Sequence, residues 1–333
     1  MNRKDIAEAA ALLRRGEIVA FPTETVYGLG ADALNAAAVA KIFAAKERPA
    51  DHPLIIHLPG NAQLEHWARD VPGAAQRLAA ALWPGPLTLI LKRHSRVPAI
   101  VSGGQDTVGL RVPDHPVARE LLAQFGSGIA APSANRFGRI SPTTAEHVRQ
   151  ELGSRVPLVL DGGPCTVGIE STILDLSTPA WRILRPGAVG ADEIVDILGR
   201  PLRPVEEEDE SDETLPRVSG SLPGHYAPRT PLLMVPPAAL LAEVAARLAQ
   251  GLNFAVLGRN VSPAPGQYHG VLWQRAITDP AGYAHDLYAH LRALDAAQVD
   301  LIMVEEPPRS DAWMAVNDRL ARAARGSGAN EEP

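Results

Sequence analysis

Lys46-Glu47-Arg48-Pro49 places two cations at the end of a helical pattern, with a proline stiffening the exit. Cations there complement the helix dipole, and the same pair suits an anion site; the residues alone leave both readings open. His52-Pro53-Leu54-Ile55-Ile56-His57 brackets an apolar strand with two histidines. His57 alternates away from Ile56, toward either a cleft or an ordinary structural hydrogen bond. Ala131-Pro132-Ser133-Ala134-Asn135 follows a short strand, and Ser141-Pro142-Thr143-Thr144 comes soon after. Small hydroxyl side chains at the carboxyl end of a strand suit a ligand crevice, while Thr143 or Thr144 equally suits a helix cap. Glu170-Ser171-Thr172 opens a strand, and Arg185-Pro186-Gly187 ends one, leaving a guanidinium at its terminus. The segment 219–228 carries His225-Tyr226 among turn residues. An aromatic in a linker suits a segment that folds over a ligand.

These groups are arginine, lysine, serine and threonine at loop ends. No Ser-His-Asp order, metal-spaced histidine pair or paired carboxylates stand out. The chemistry that fits is the holding of phosphates and a carboxylate rather than proton shuttling. Gly28-Leu29-Gly30-Ala31-Asp32-Ala33 has the spacing of a dinucleotide fingerprint. That fingerprint turns directly off a strand, whereas here six residues including Pro22 intervene, so 21–30 reads as a polar loop. A second such spacing, Gly126 to Ala131, follows a helix and enters a strand, which is the reverse order. The phosphate-loop pattern GxxxxGK[ST] is absent from the sequence.

The elements that must position these residues alternate along the chain. Helical periodicity spans 5–15, with Ile6, Ala9, Ala10 and Leu13 on one face, then about 35–45 behind an Asn35 cap, 74–82, 116–124, 144–152 and 192–198. Apolar strands fall at 17–21, 54–58, 87–91, 107–112, 129–131, 158–160, 171–176 and 181–184. The last of these come without helices between them, which implies an α/β domain on a mixed sheet rather than a purely parallel one. From residue 232 the pattern restarts as strand 232–235, helix 238–250, strand 253–257, a short strand 271–273, helix 281–297, strand 301–304 and helix 312–324. That alternation predicts a smaller, doubly wound, Rossmann-like α/β domain.

A chain of 333 residues suggests about two domains. The expected organisation is a first domain over 1–200, a linker over 201–229, a second domain over 230–325 and a disordered tail over 326–333. Residues 191–229 hold 4 Lys+Arg against 10 Asp+Glu, which alone accounts for the chain's net charge of −6. Seven of the eight positions from Glu206 to Glu213 are acidic, a run that repels itself and reads as solvated linker. One cysteine, Cys165, excludes an intrachain disulfide framework and a multi-cysteine zinc site. No signal peptide or membrane-length apolar run is evident, so a soluble cytoplasmic protein is expected. The basic excess of a dedicated nucleic-acid binder is missing.

The ordered set Pro22-Thr23-Glu24-Thr25-Val26-Tyr27-Gly28-Leu29, Lys46-Glu47-Arg48-Pro49, Pro53-Leu54-Ile55-Ile56-His57, Pro132-Ser133-Ala134-Asn135, Glu170-Ser171-Thr172 and Leu184-Arg185-Pro186-Gly187 resembles the threonylcarbamoyl-AMP synthase family, built on a YrdC-like domain. His225-Tyr226-Ala227-Pro228 and the alternating C-terminal region resemble its long, two-domain branch. The resemblance implies a YrdC-like twisted mixed sheet with flanking helices. It implies condensation of L-threonine, bicarbonate and ATP to threonylcarbamoyl-adenylate and pyrophosphate. A tRNA threonylcarbamoyl transferase system would then move the group to an adenosine beside the anticodon.

By this resemblance Thr25, His57, Arg111, Ala131 and Ser171 surround threonine. Arg48, His52, Thr107, Ser133, Asn135, Ser141, Arg185 and Tyr226 hold ATP, and Lys46 and Arg48 act on the reacting phosphates. Mg²⁺ is expected with the triphosphate, without a cluster of protein carboxylates. A reactive adenylate gives the Tyr226 segment a purpose as a lid. The alternative from another class is a non-catalytic RNA-binding module; direct contact with tRNA would need one basic stripe, whereas these arginines are dispersed among loop ends.

Overall fold

The computed structural model describes residues 3–203, 215–264 and 267–328. The chain divides into two compact units, one of Met1–Phe137 with Ser141–Ser221 and the other of Gly138–Ile140 with Leu222–Pro333. The expected boundaries at 200 and 229 therefore shift. Gln105 explains the first: its side chain accepts from Arg217 N at 2.7 Å and donates to Arg217 O at 3.1 Å, tying that stretch to the first unit. Arg322 explains the second, donating to Leu222 O at 2.7 Å while its own carbonyl accepts from His225 N at 3.3 Å. The acidic run 206–213 lies outside the described residues.

The first unit runs α1 (Arg3–Arg14), β1 (Val19–Phe21), β2 (Gly28–Asp32), α2 (Ala36–Lys46), β3 (Ile55–His57), α3 (Leu64–Trp67), α4 (Gly73–Leu82) and β4 (Leu87–Lys92). It continues through β5 (Thr107–Arg111), α5 (Pro116–Phe125), β6 (Ile129–Ala130), α6 (Ala145–Leu152), β7 (Thr172–Asp175), β8 (Arg182–Arg185) and α7 (Ala191–Leu198). Ile6, Ala9, Ala10 and Leu13 form the buried stripe of α1, as their spacing predicts. Asn35 caps α2, its side chain accepting from Ala37 N and Ala38 N at 3.1 Å each.

The eight strands form one mixed sheet in the order β1-β2-β6-β3-β5-β4-β7-β8. Only β3–β5 and β4–β7 pair in parallel. Two expectations are corrected. The stretch from Gly28, read as loop, is β2, antiparallel to β1. Its glycines serve close packing, not a phosphate turn: a Cβ on Gly30 would lie 2.6 Å from Ile129 and 2.7 Å from the Phe21 ring. Residues 158–160 form no regular strand but touch β1 through a bridge between Val159 and Ala20.

The second unit contains β9 (Leu232–Val235), α8 (Leu240–Ala249), β10 (Phe254–Gly258), β11 (Leu272–Arg275), α9 (Pro280–Asp295), β12 (Leu301–Glu305) and α10 (Met314–Gly326). Its four strands are all parallel, in the order β11-β10-β12-β9. Every residue of β10 is buried, as expected for a strand covered on both faces. Gly326 belongs to α10, and Ser327 Oγ accepts from Leu232 N at 2.8 Å, so 326–328 is ordered structure rather than the start of a disordered tail; 329–333 lie outside the described residues. Among the described residues no helix is long and apolar enough to cross a membrane.

Candidate active site

Strand alternation divides the first sheet into two chemically different faces. Ile56, Val108, Leu110, Leu87, Leu89, Leu91 and Leu174 join the main apolar core. The residues between them, including Ile55, His57, Thr107, Gly109, Arg111, Thr88 and Ile173, point the other way. On that second face, one flank is filled by Phe21, Ile129 and Ala131 beneath α1 and α5. The other holds a small apolar cluster of Ile90, Ile173 and Val218. Between the two flanks stand polar groups.

Arg111 ends β5, and the register sets it level with His57 of β3. Its guanidinium is buried and donates to Gly85 O (3.2 Å), Thr25 Oγ1 (2.9 Å) and Glu24 Oε1 (2.5 Å). Glu24 accepts a further bond from Asp114 N at 2.9 Å. Thr25 is braced by Thr23, whose hydroxyl lies 2.8 Å away. His57 packs edge-on to Phe21 at 5.8 Å, on the face opposite Ile56 as the alternation predicts. Burial, reinforced by the Arg111 charge, pulls its ring down to about 3 from the ordinary 6.5, so it is neutral near pH 7. Ala131 joins the group through its N–H to Ile55 O at 2.9 Å.

A second group gathers where α2 ends. Glu47 takes the left-handed conformation (φ 56°), which turns Arg48 off the helix axis. A non-glycine residue there costs about 1 kcal/mol, and the Arg155–Glu47 pair at 2.6 Å helps hold it. Lys46 is fully buried and donates to the carbonyls of Ser133 (2.5 Å) and Asn135. Burial first, then the Arg48 charge, holds its ammonium well below the usual lysine range. Arg48 donates to Pro53 O at 3.0 Å and lies 5.5 Å from the Phe137 ring centre, which His52 meets edge-on at 5.1 Å. Pro53 and Thr107 line one hollow. Its apolar wall is Ile55, Ile90, Ile173 and Val218, and its polar rim includes Arg217 and Ser219.

The loops after these strands bring in the rest. Ser171 Oγ lies 2.8 Å from Thr88 Oγ1, and Arg185 donates to Ser171 O at 2.9 Å and Ser219 O at 2.7 Å. Ser141 Oγ donates to Glu170 Oε1 at 2.5 Å. The first unit thus brings together Thr25, His57, Arg111 and Ala131; Lys46, Arg48, His52, Ser133 and Asn135; and Ser171 with Arg185. Tyr226 belongs to the second unit. Its backbone is left-handed (φ 60°), and its ring stacks on Tyr288 at 5.8 Å with the Arg319 guanidinium 5.0 Å away. The residues that sequence reasoning passed over are Glu24, Glu170, Thr88 and Phe137. Glu24 and Glu170 lie inside segments already singled out, but only the fold shows them buried beneath Arg111 and Ser141.

A mixed sheet whose polar face carries buried arginine and hydroxyl groups at its strand ends, with a buried lysine and arginine where α2 ends, defines an α/β protein whose donors suit small anionic molecules. The chain matches two family models: Sua5_yciO_yrdC, described as telomere recombination, over residues 11–187, and Sua5_C, described as threonylcarbamoyl-AMP synthase, C-terminal domain, over 189–325. It belongs to the Sua5/YciO/YrdC family, in the two-domain form. Threonylcarbamoyl-AMP synthase of Bacillus subtilis (strain 168) is 39% identical, over 98% of this chain and 94% of that protein. The Pyrococcus abyssi protein of the same name is 38% identical, over 95% of this chain and 93% of its own length. The crystal structure of P. abyssi Sua5 complexed with L-threonine superposes with a TM-score of 0.88 at 35% identity, covering 98% of this chain and 96% of that one.

Proposed function

We infer that this chain condenses L-threonine, bicarbonate and ATP into threonylcarbamoyl-adenylate, with release of pyrophosphate. The observation that carries this reading is Arg111. Among the described residues it gives three of its five donors to Gly85, Thr25 and Glu24, which fixes the fork and leaves two N–H groups for a substrate carboxylate. Thr25, His57, Ala131 and Ser171 are the amino-acid surroundings in this reading. Arg48, His52, Thr107, Ser133, Asn135, Ser141 and Arg185 are the ATP contacts of the first unit in this reading.

The amine of threonine adds to the carbon of bicarbonate, a C–O bond breaks with loss of water, and the carbamate so formed is an anionic nucleophile. One of its carbamate oxygens attacks the α-phosphorus, the bond to the bridging oxygen of the β-phosphate breaks, and that oxygen leaves with pyrophosphate. Such a step asks for charge neutralisation and in-line placement more than for a strong base. Arg48 and Arg185 supply the charge, with Lys46 as a hydrogen-bond donor beside them. His57, neutral at working pH, serves as a hydrogen-bonding partner rather than a proton carrier.

ATP is taken as its Mg²⁺ complex. The groups at the phosphate end are cations and hydroxyls, and among the described residues no three His, Cys, Asp or Glu side chains gather to hold a metal. In this reading Mg²⁺ would arrive with the triphosphate and would help neutralise its charge. The product passes to a tRNA threonylcarbamoyl transferase system, and the cytoplasm is the compartment where the substrates and tRNA meet.

Pyrophosphate release by the full chain, with ATP, bicarbonate and each amino acid in turn, tests the reading. Release that needs both bicarbonate and L-threonine supports it. Release with a different amino acid keeps the adenylate chemistry and replaces the substrate. No ATP consumption under any condition overturns it, and salt-dependent RNA affinity becomes the next measurement.

A further inference from the structure

Glu305, the last residue of β12, is fully buried within the second unit. Leu257 pairs with Val304, so Glu305 stands level with Gly258 at the carboxyl end of β10. Its Oε2 accepts from three successive backbone N–H groups: Arg259 (2.6 Å), Asn260 (2.9 Å) and Val261 (3.0 Å). Consecutive main-chain N–H groups turned on one point make a nest for an anion. The location fits as well. β10 leads to its neighbour β11 on one side, while β12 leads to α10, which packs against β9 on the other. Strands whose connections part in this way open the crevice where parallel α/β sheets take ligands.

The surroundings hold more donors than one carboxylate oxygen uses. Among the described residues, Tyr283 OH and Trp273 Nε1 are buried without a partner, as is the other oxygen of Glu305. Gly258 allows the close approach of the indole, since a Cβ there would lie 2.7 Å from Trp273 Nε1. Trp313 packs edge-on to Tyr283 at 5.4 Å and lies 5.1 Å from the Arg259 guanidinium. The negative charge of Glu305 adds to burial in pushing the Tyr283 hydroxyl up. Three convergent amides, two further N–H and O–H groups and a cation suit a tetrahedral oxyanion better than a single carboxylate.

We propose that the gap between the carboxyl ends of β10 and β12 is a phosphate seat whose occupant is the chain's own Glu305, so that a phosphate-bearing ligand enters only when that side chain leaves. Despite its doubly wound fold, the second unit then binds no nucleotide while Glu305 is in place. This inference is independent of the reaction assigned to the first unit.

The test uses the full chain with inorganic phosphate as the probe and the amide signals of Arg259, Asn260 and Val261 as the readout. In the unaltered protein these amides should be slow to exchange with solvent and should not shift on phosphate addition. In Glu305→Ala they should shift saturably with phosphate. In Glu305→Gln, whose amide oxygen still fills the seat, they should not. Phosphate-induced shifts in the unaltered protein, or a folded Glu305→Ala that gains none, would overturn the proposal. If Glu305→Ala does not fold, exchange in the unaltered protein decides: amides that exchange as fast as an exposed loop refute the seat.

Discussion

Glu24 and Arg111 form a buried ion pair at 2.5 Å, both side chains almost wholly withdrawn from solvent. The carboxylate reaches Arg111 from the β1–β2 connection, and its other oxygen ties down Asp114 N. The pair therefore joins the segment that supplies Thr25 to the strand that supplies the guanidinium.

Removing the acid strands the cation. Glu24→Ala should destabilise the first unit by about 3–5 kcal/mol, the usual result of leaving a buried charge unpaired. Glu24→Gln keeps an acceptor and should lose less. Urea midpoints measure both, and KM for threonine should rise in Glu24→Gln as the Arg111 fork loses its fixed orientation. A Glu24→Ala protein with an unchanged midpoint would show that the pair contributes nothing to the fold.

Lys46 secures the 133–135 loop from inside by donating to two carbonyls. Lys46→Met leaves those acceptors without their donor, at a stability loss of about 1–3 kcal/mol. Pyrophosphate release should fall by about 10²–10³, the scale for losing one electrostatic donor at a reacting centre. Turnover near that of the unaltered enzyme would remove Lys46 from the reacting machinery.

His57 makes stability depend on pH in a calculable direction. The folded ring titrates at about 3 and the ordinary one at 6.5. Between those values the unfolded chain binds more protons. The contribution of this group is whole above pH 6.5 and is lost as the pH falls toward 3, by up to about 1.4 kcal/mol per pH unit. Urea midpoints over the acid part of that window should drop less steeply in His57→Gln. Equal slopes for the two proteins would mean that another group carries the acid limb.

Cys165 should be inert in the native protein. Burial, with the Glu24 charge behind it, pushes its thiol well above the ordinary range, so thiolate is scarce. Its N–H donates to Thr143 O at 2.9 Å, and Val167 N donates to Glu24 O at 2.7 Å, which places it under the loops of the site. Alkylation should proceed only at the rate of opening and should quicken in Glu24→Ala. Rapid labelling of the folded protein would contradict this placement.

Periodicity and capping determined most elements locally. The α1 stripe, the Asn35 cap, β9 and the restart of alternation after residue 230 follow from side-chain spacing, because burying one face of a helix or strand constrains every third, fourth or second residue. The ordered motifs likewise marked which loops carry the polar groups. β2 escaped because its Gly28-Leu29-Gly30 has no propensity of its own. It is a strand because Phe21 and Ile129 need the space that glycine leaves. Strand register then decided what the one-dimensional pattern leaves open: that His57 and Arg111 are level, that Thr25 reaches the same guanidinium, and that Glu24 and Glu170 are buried against Arg111 and Ser141 respectively. Those relations join residues up to 87 positions apart. They are set by which strands pair and in what alignment, a matter of whole-sheet packing rather than of local spacing.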